Sequence, residues 1–214
     1  MKTSFILSWI FSLLVGASAF AQGTFQDLDF EQATIPSGTL HSVSVANAIP
    51  GWTVYYGNTL QTQVGYDYQS LGGTAAILMG AGSYLPAIDG NYSIELYGGR
   101  EDISLSQTGL IPAGTQSLLF EGSWFSEGPD PNVSIGNDNL TLFPVGQGLY
   151  GANVSAWAGQ AEELKFTVRW DYGPYFFDDI SFSPGAVPEP SPALLTGITG
   201  TAFGVWRFLC FKRK

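Results

Sequence analysis

Hydrophobic and polar positions divide the chain into three zones. Residues 5–15 form a nearly unbroken apolar run, and residues 193–211 form another. Between them, apolar and polar residues alternate in short runs broken by Gly, Pro, Asn and Asp. Successive side chains on a strand point to opposite faces, so such runs predict β-strands. They fall at 25–31, 51–56, 74–79, 92–97, 103–108, 116–124, 139–143, 163–171 and 176–182. The clearest is 163–171, where Leu164, Phe166, Val168 and Trp170 are expected on one face and Lys165, Thr167 and Arg169 on the other. In the last run, Asp178, Ile180 and Phe182 are expected to share a face. No internal repeat and no long helical period interrupts this pattern. Short strands separated by turns predict an all-β domain, a jelly-roll β-sandwich.

The outer zones read as transport segments. Lys2 gives a positive start, residues 5–15 have signal-peptide length, and Ala19-Phe20-Ala21 supplies the small-x-small pattern before a cut. Signal peptidase is therefore expected to remove residues 1–21 and leave Gln22 first, with a cut after Ala19 as the alternative. The ectodomain is expected over 22–184 and a Pro-rich linker over 185–192. An apolar stretch of 19 residues, 193–211, is long enough for a transmembrane helix. The basic cluster Lys212, Arg213 and Lys214 would hold its end on the cytoplasmic side. Arg207 lies near that end, where its side chain can snorkel.

Val187-Pro188-Glu189-Pro190-Ser191, the apolar helix and the terminal Lys/Arg cluster together resemble the PEP-CTERM sorting signal of Gram-negative bacteria. The resemblance covers the last ~28 residues and implies recognition by an exosortase-type membrane protease, with removal of the helix. It further implies an exported protein, held in the membrane and then released to the cell surface or extracellular matrix. Arg207, inside the helix, departs from the cleanest versions of the signal.

Charge sharpens the picture of the middle zone. Between Gln22 and Val187 stand 17 acidic residues against Arg100, Lys165 and Arg169, a net charge of −14. Such a surface repels phosphate backbones, so nucleic acid is not an expected partner. The single cysteine, Cys210, lies in the tail, and His41 is the single histidine. The ectodomain thus has neither a disulfide nor a Cys/His zinc cage, and its stability must come from its core or from an oxygen-ligated ion.

A second resemblance runs through the ectodomain. Leu28-Asp29-Phe30-Glu31, Ile49-Pro50-Gly51-Trp52-Thr53-Val54, Asp89-Gly90-Asn91-Tyr92-Ser93-Ile94-Glu95-Leu96, Ile103-Ser104-Leu105-Ser106-Gln107-Thr108 and Phe177-Asp178-Asp179-Ile180-Ser181 follow one another in an order similar to the galactose-binding-like jelly roll of carbohydrate-binding modules. The resemblance implies glycan binding and a structural calcium ion between first and last strands. If those strands pair, Asp29 and Glu31 could meet Asp178 and Asp179, and Ca²⁺ takes such oxygen ligands. For a glycan, sugar rings stack on exposed aromatic faces. Tyr55, Tyr56, Tyr66 and Tyr68, in a stretch rich in Tyr, Gln and Asn that reads as a loop, are the expected platforms, with exopolysaccharide as the partner.

An enzyme is not expected. The acidic pairs Glu101/Asp102, Glu162/Glu163 and Asp178/Asp179 are sequence neighbours, and neighbours on a strand point to opposite faces. A Ser–His–Asp site would have to use His41, which lies in no Gly-x-Ser-x-Gly elbow.

Overall fold

The computed structural model of the chain describes residues 24–67, 75–125 and 128–187. Ala19, Ala21, Gln22 and Tyr68 lie outside the described residues, as do Pro188, Glu189, Pro190, Ser191, the apolar stretch 193–211 and Lys212, Arg213 and Lys214. No described helix is long and apolar enough to cross a membrane.

The described chain is a β-sandwich. The larger sheet has the order β1 (Ser42–Ser44), β4 (Gln63–Tyr66), β5 (Ala76–Met79), β6 (Ser93–Leu96), β14 (Tyr175–Ser183), β8 (Ser117–Trp124), β12 (Leu149–Asn153) and β11 (Phe143–Pro144). The smaller has the order β10 (Asp138–Asn139), β9 (Asn132–Ile135), β13 (Ala161–Val168), β7 (Ile103–Leu110), β2 (Thr53–Tyr56) and β3 (Thr59–Gln61). Among these neighbours only β4 and β5 run parallel. A single short α-helix, Val45–Ala48, and a 3₁₀ turn, Ser155–Trp157, complete the described elements.

Alternation explains why the sheets stack. On β13, Leu164, Phe166 and Val168 are fully buried, while Glu163, Lys165 and Thr167 reach the other face. Phe166 meets Phe120 of β8 at 5.3 Å and Phe177 of β14 at 4.9 Å, both edge-on, which ties the two sheets together. Trp52 extends this cluster to Phe30, with ring centroids 5.8 Å apart, and its Nε1–H donates to the Asp27 carbonyl at 2.9 Å. Each buried ring contributes about 1.5–3 kcal/mol, and each edge-on pair about 0.5–1.5 kcal/mol more.

Four local expectations are corrected. Residues 25–31 are turns instead of a strand, because Asp27 (φ 48°) and Phe30 (φ 56°) adopt left-handed backbone that no strand accommodates. The run 139–143 pairs only at its two ends, in β10 and β11. Residues 55–67 of the stretch that reads as a loop are largely sheet, shared between β2, β3 and β4. The run 163–171 stops at Val168, and Trp170 is 53% exposed instead of joining the core.

A fifth correction concerns β14. Asp178 lies opposite Glu121 of β8 while Ser181 lies opposite Leu119, so one extra residue is inserted between them. Asp179 takes the left-handed conformation there, at φ 47°. The bulge reverses the parity of the strand. Tyr175, Phe177 and Ile180 face the core, whereas Asp178 turns to the opposite face with Phe176.

The two outer faces differ. That of the larger sheet is covered by residues 80–92, whose Tyr84, Leu85 and Ile88 pack on Ile77, Met79 and Phe176. That of the smaller sheet presents Tyr55 and Leu60 to solvent.

Candidate functional site

The open face of the six-stranded sheet holds a groove of about 410 Å³. Tyr55 lies opposite Ser104, and Ser104 opposite Thr167, so the three side chains cross the sheet in one row. The hydroxyls of Ser104 and Thr167 are 3.0 Å apart. Where β13 ends, the chain turns away from the core, with Tyr172 N–H donating to the Arg169 carbonyl at 3.3 Å. Trp170 projects from this turn, and Asn58, Glu101, Asp102 and Lys165 line the groove around it.

Two contacts fix the turn. The Trp170 N–H donates to Asp102 Oδ1 at 3.0 Å. On the other side Gly98 presses against the same backbone: a Cβ there would stand 2.5 Å from the Arg169 carbonyl oxygen and 2.7 Å from Trp170 Cα. Only glycine permits that approach. The Arg169 guanidinium is engaged elsewhere, bonded to Asp171 at 3.2 Å and lying 5.5 Å from the centre of the Tyr172 ring. The groove therefore combines an indole face with a cation, carboxylates and hydroxyls. Such a set can stack on an apolar sugar face and exchange hydrogen bonds with its hydroxyls.

Of the tyrosines expected from the sequence, the described ones, Tyr55, Tyr56 and Tyr66, do not assemble there. Tyr55 stands on the open face, while Tyr56, next on the strand, points the other way and packs on the core. The Tyr56 hydroxyl accepts from the Arg100 N–H at 2.9 Å. Tyr56 lines a separate cleft of about 370 Å³ with Gln61, Gln63 and Tyr97. Tyr66 belongs to the larger sheet and packs on its core side.

Acidic residues cluster at the opposite surface. Leu28 O accepts from the Ile180 N–H at 2.9 Å, which draws the N-terminal turns against the bulge of β14. Burial first, and then the nearby charges of Asp89, Asp29 and Glu31, raise the pKa of Asp179. Glu31 accepts from Asn91 N–H at 2.6 Å, Asn91 Nδ2 at 2.7 Å and Tyr92 N–H at 2.8 Å. Burial alone would raise its pKa, yet these bonds prevail and lower it. Asp178 accepts from the N–H groups of Asp89 and Asp179 at 3.1 and 2.8 Å. Burial pushes Asp178 up to about 7 and Asp27 up to about 6. The Asp27 Oδ1 accepts from the Gln32 N–H at 2.8 Å, but its buried Oδ2 has no hydrogen-bond partner. Among the described residues, no three acidic or histidine side chains converge as a ligand set for a metal.

These acids hold down residues 80–92. Besides Glu31 and Asp178, Asp67 Oδ1 accepts from the Gly82 N–H at 2.8 Å, and Glu95 Oε2 accepts from the Tyr84 hydroxyl at 2.9 Å. These four carboxylates are thus structural, satisfying backbone and side-chain donors of one long connection.

The chain matches no protein-family model and no curated protein.

Trp170 is the residue that sequence reasoning missed, since it continues a period of two that the strand itself abandons. The signal that marks it is the following Asp171-Tyr172-Gly173-Pro174, a turn sequence that ends a strand rather than extends it. Glu101 and Asp102 both line the groove despite being neighbours, because they precede β7 and escape its alternation.

Proposed function

We propose that this chain is an exported cell-surface or extracellular-matrix protein, delivered by a PEP-CTERM signal and acting without catalysis through a galactose-binding-like jelly roll. The observation that carries this reading is the three-part order of the tail: Val187-Pro188-Glu189-Pro190-Ser191, the apolar stretch, and Lys212, Arg213 and Lys214. Support comes from the junction. The Gly185 carbonyl accepts from the Ser117 hydroxyl at 2.6 Å, and Val187 is buried over Gly151 of β12. The proline motif thus follows directly on the packed domain, and cutting there would leave the sandwich whole. Signal peptidase and an exosortase-type protease are the partners in this delivery, and the membrane is a transient one. Mass spectrometry of the mature protein from cells that export it tests the reading. The expected product begins at or near Gln22 and ends near the Pro188–Pro190 motif. Peptides from 193–214 in the surface fraction overturn it.

A second reading, a carbohydrate-binding module for exopolysaccharide, is favoured by the exposed indole of Trp170 beside hydrogen-bonding groups on an open sheet face. Retardation in gels containing dissolved polysaccharides tests it, and free migration in every gel counts against it.

Within the same reading, one structural Ca²⁺ at Asp29, Glu31, Asp178 and Asp179 would require these side chains to draw together, because as they stand no three of them converge. The unpartnered, buried Oδ2 of Asp27, next to Asp29 and Glu31 in the field of charges, supports it. The ion would neutralise carboxylates that otherwise repel one another.

A further inference from the structure

We infer that the open face of the six-stranded sheet carries a binding path for a neutral oligosaccharide, running across β2, β7, β13 and β9 with Trp170 as its stacking platform. This deepens the carbohydrate-binding reading and rests on it.

Exposure of Trp170 is the first observation. Trp52 is buried and Trp124 and Trp157 are partly buried, whereas Trp170 is 53% exposed. Leaving an indole in water forgoes a large hydrophobic gain. Here the main chain that carries the indole is also fixed, with Asp102 holding the Trp170 N–H and Gly98 backing its turn. A platform ordered before the ligand arrives loses little entropy on binding.

Hydrogen-bonding character is the second. Sugar hydroxyls donate and accept, and the groove offers both complements. The Lys165 ammonium donates and forms no ion pair among the described residues. Glu101 accepts, and the Asn58 amide does either.

The third is length. Beyond Thr167 the path reaches the end of the sandwich, where another groove of about 350 Å³ is lined by Asn132, Thr167, Val168 and Arg169 of this side, by Tyr172, and by Trp124 of the larger sheet. Thr167 borders both. Tyr172 is held edge-on to Trp124, centroids 6.1 Å apart, and so presents a second ordered ring. The four strands are consecutive neighbours. At ~4.8 Å per interval they span ~14 Å, the reach of a short chain of sugars rather than one. Charge selects a neutral chain, because the surrounding domain carries −14 and repels polyanions.

The test uses the protein purified from cells that export it, in gels containing hydroxyethyl cellulose, arabinoxylan, galactomannan or alginate. Retardation is expected with at least one of the three neutral polymers. Titration with oligosaccharides of that polymer should show the hexaose binding at least tenfold more tightly than the disaccharide. Trp170→Ala and Lys165→Met should each weaken binding about tenfold or more with unchanged thermal unfolding midpoints, since neither side chain belongs to the core. Gln63→Ala, in the separate cleft beside Tyr56, should bind as the parent does. Parent-like binding by both Trp170→Ala and Lys165→Met overturns this path while leaving the carbohydrate reading intact. Retardation by alginate alone overturns the neutral ligand. No retardation in any gel overturns the carbohydrate reading and this path with it.

Discussion

The main-chain N–H of Trp170 donates to the Asp102 carboxylate across 3.0 Å, joining the turn after β13 to the residue before β7, 68 positions earlier. Removing this acceptor in Asp102→Ala should cost about 1 kcal/mol, the value of a partly exposed hydrogen bond. The change is read from urea unfolding, with a shift in tryptophan emission as the turn loosens. Asp102→Asn keeps an acceptor oxygen and should recover most of the loss. Equal stability of Asp102→Ala and the parent would show that the turn is held by other means.

Gly98→Ala should be more damaging than its size suggests. The added methyl would meet the Arg169 carbonyl oxygen and the Trp170 Cα, both main-chain atoms that cannot swing aside. Overpacking of this kind costs about 1–3 kcal/mol. Gly114→Asn, at an open positive-φ turn with nothing within 4 Å, is the contrasting change and should cost much less. Unfolding midpoints of the two variants check the ordering.

Phe166 is the keystone between sheets, touching Phe120, Phe177 and Trp52. Phe166→Ala should destabilise by about 3–5 kcal/mol, from lost transfer energy and the cavity left behind. That is a large part of the 5–15 kcal/mol typical of a domain. A denaturant midpoint close to the parent's would mean that the core closes over the gap.

The buried acids give stability a definite pH dependence. Burial raises the pKa of Glu95, opposed in part by the Tyr84 bond, and burial also raises Asp178 to about 7. A carboxyl raised in the folded state keeps its proton after the unfolded chain has lost its own. The folded state then binds more protons, and stability falls as pH rises from about 4 to about 7. Glu31, lowered, contributes the opposite slope at more acidic pH. Glu95→Gln should flatten the decline, most clearly in urea midpoints at pH 5 and pH 8 in calcium-free buffer. A decline as steep as the parent's would place its origin outside Glu95.

Calcium should raise the melting temperature relative to chelator-treated protein, because an ion that binds only the folded state stabilises it by mass action. Asp179→Asn, which alters an exposed carboxylate of the cluster, should reduce that difference. Superimposable scans with calcium and with chelator would exclude the ion.

Much of the sandwich is legible in the sequence. The runs at 74–79, 92–97, 103–108 and 116–124 overlap β5, β6, β7 and β8, since alternation is a local property that burial of one face imposes directly. The short strands β1, β3 and β9 escape notice, because three or four residues leave too little alternation to read. The site is less legible. Of Tyr55, Tyr56 and Tyr66, the described tyrosines expected to bind sugar, only Tyr55 stands on the open face, and Trp170 looks like a core residue until the turn after it is weighed.

By itself the sequence determined the all-β character of the middle zone, the inward row Leu164, Phe166 and Val168, and its strongly acidic charge. Tertiary structure decided where alternation stops. The bulge at Asp179 sends Asp178 away from Ile180, and the grip of Asp102 and Gly98 holds Trp170 out in solvent. Both outcomes depend on partners tens of residues distant, whereas a strand's period is set by each residue and its immediate neighbours.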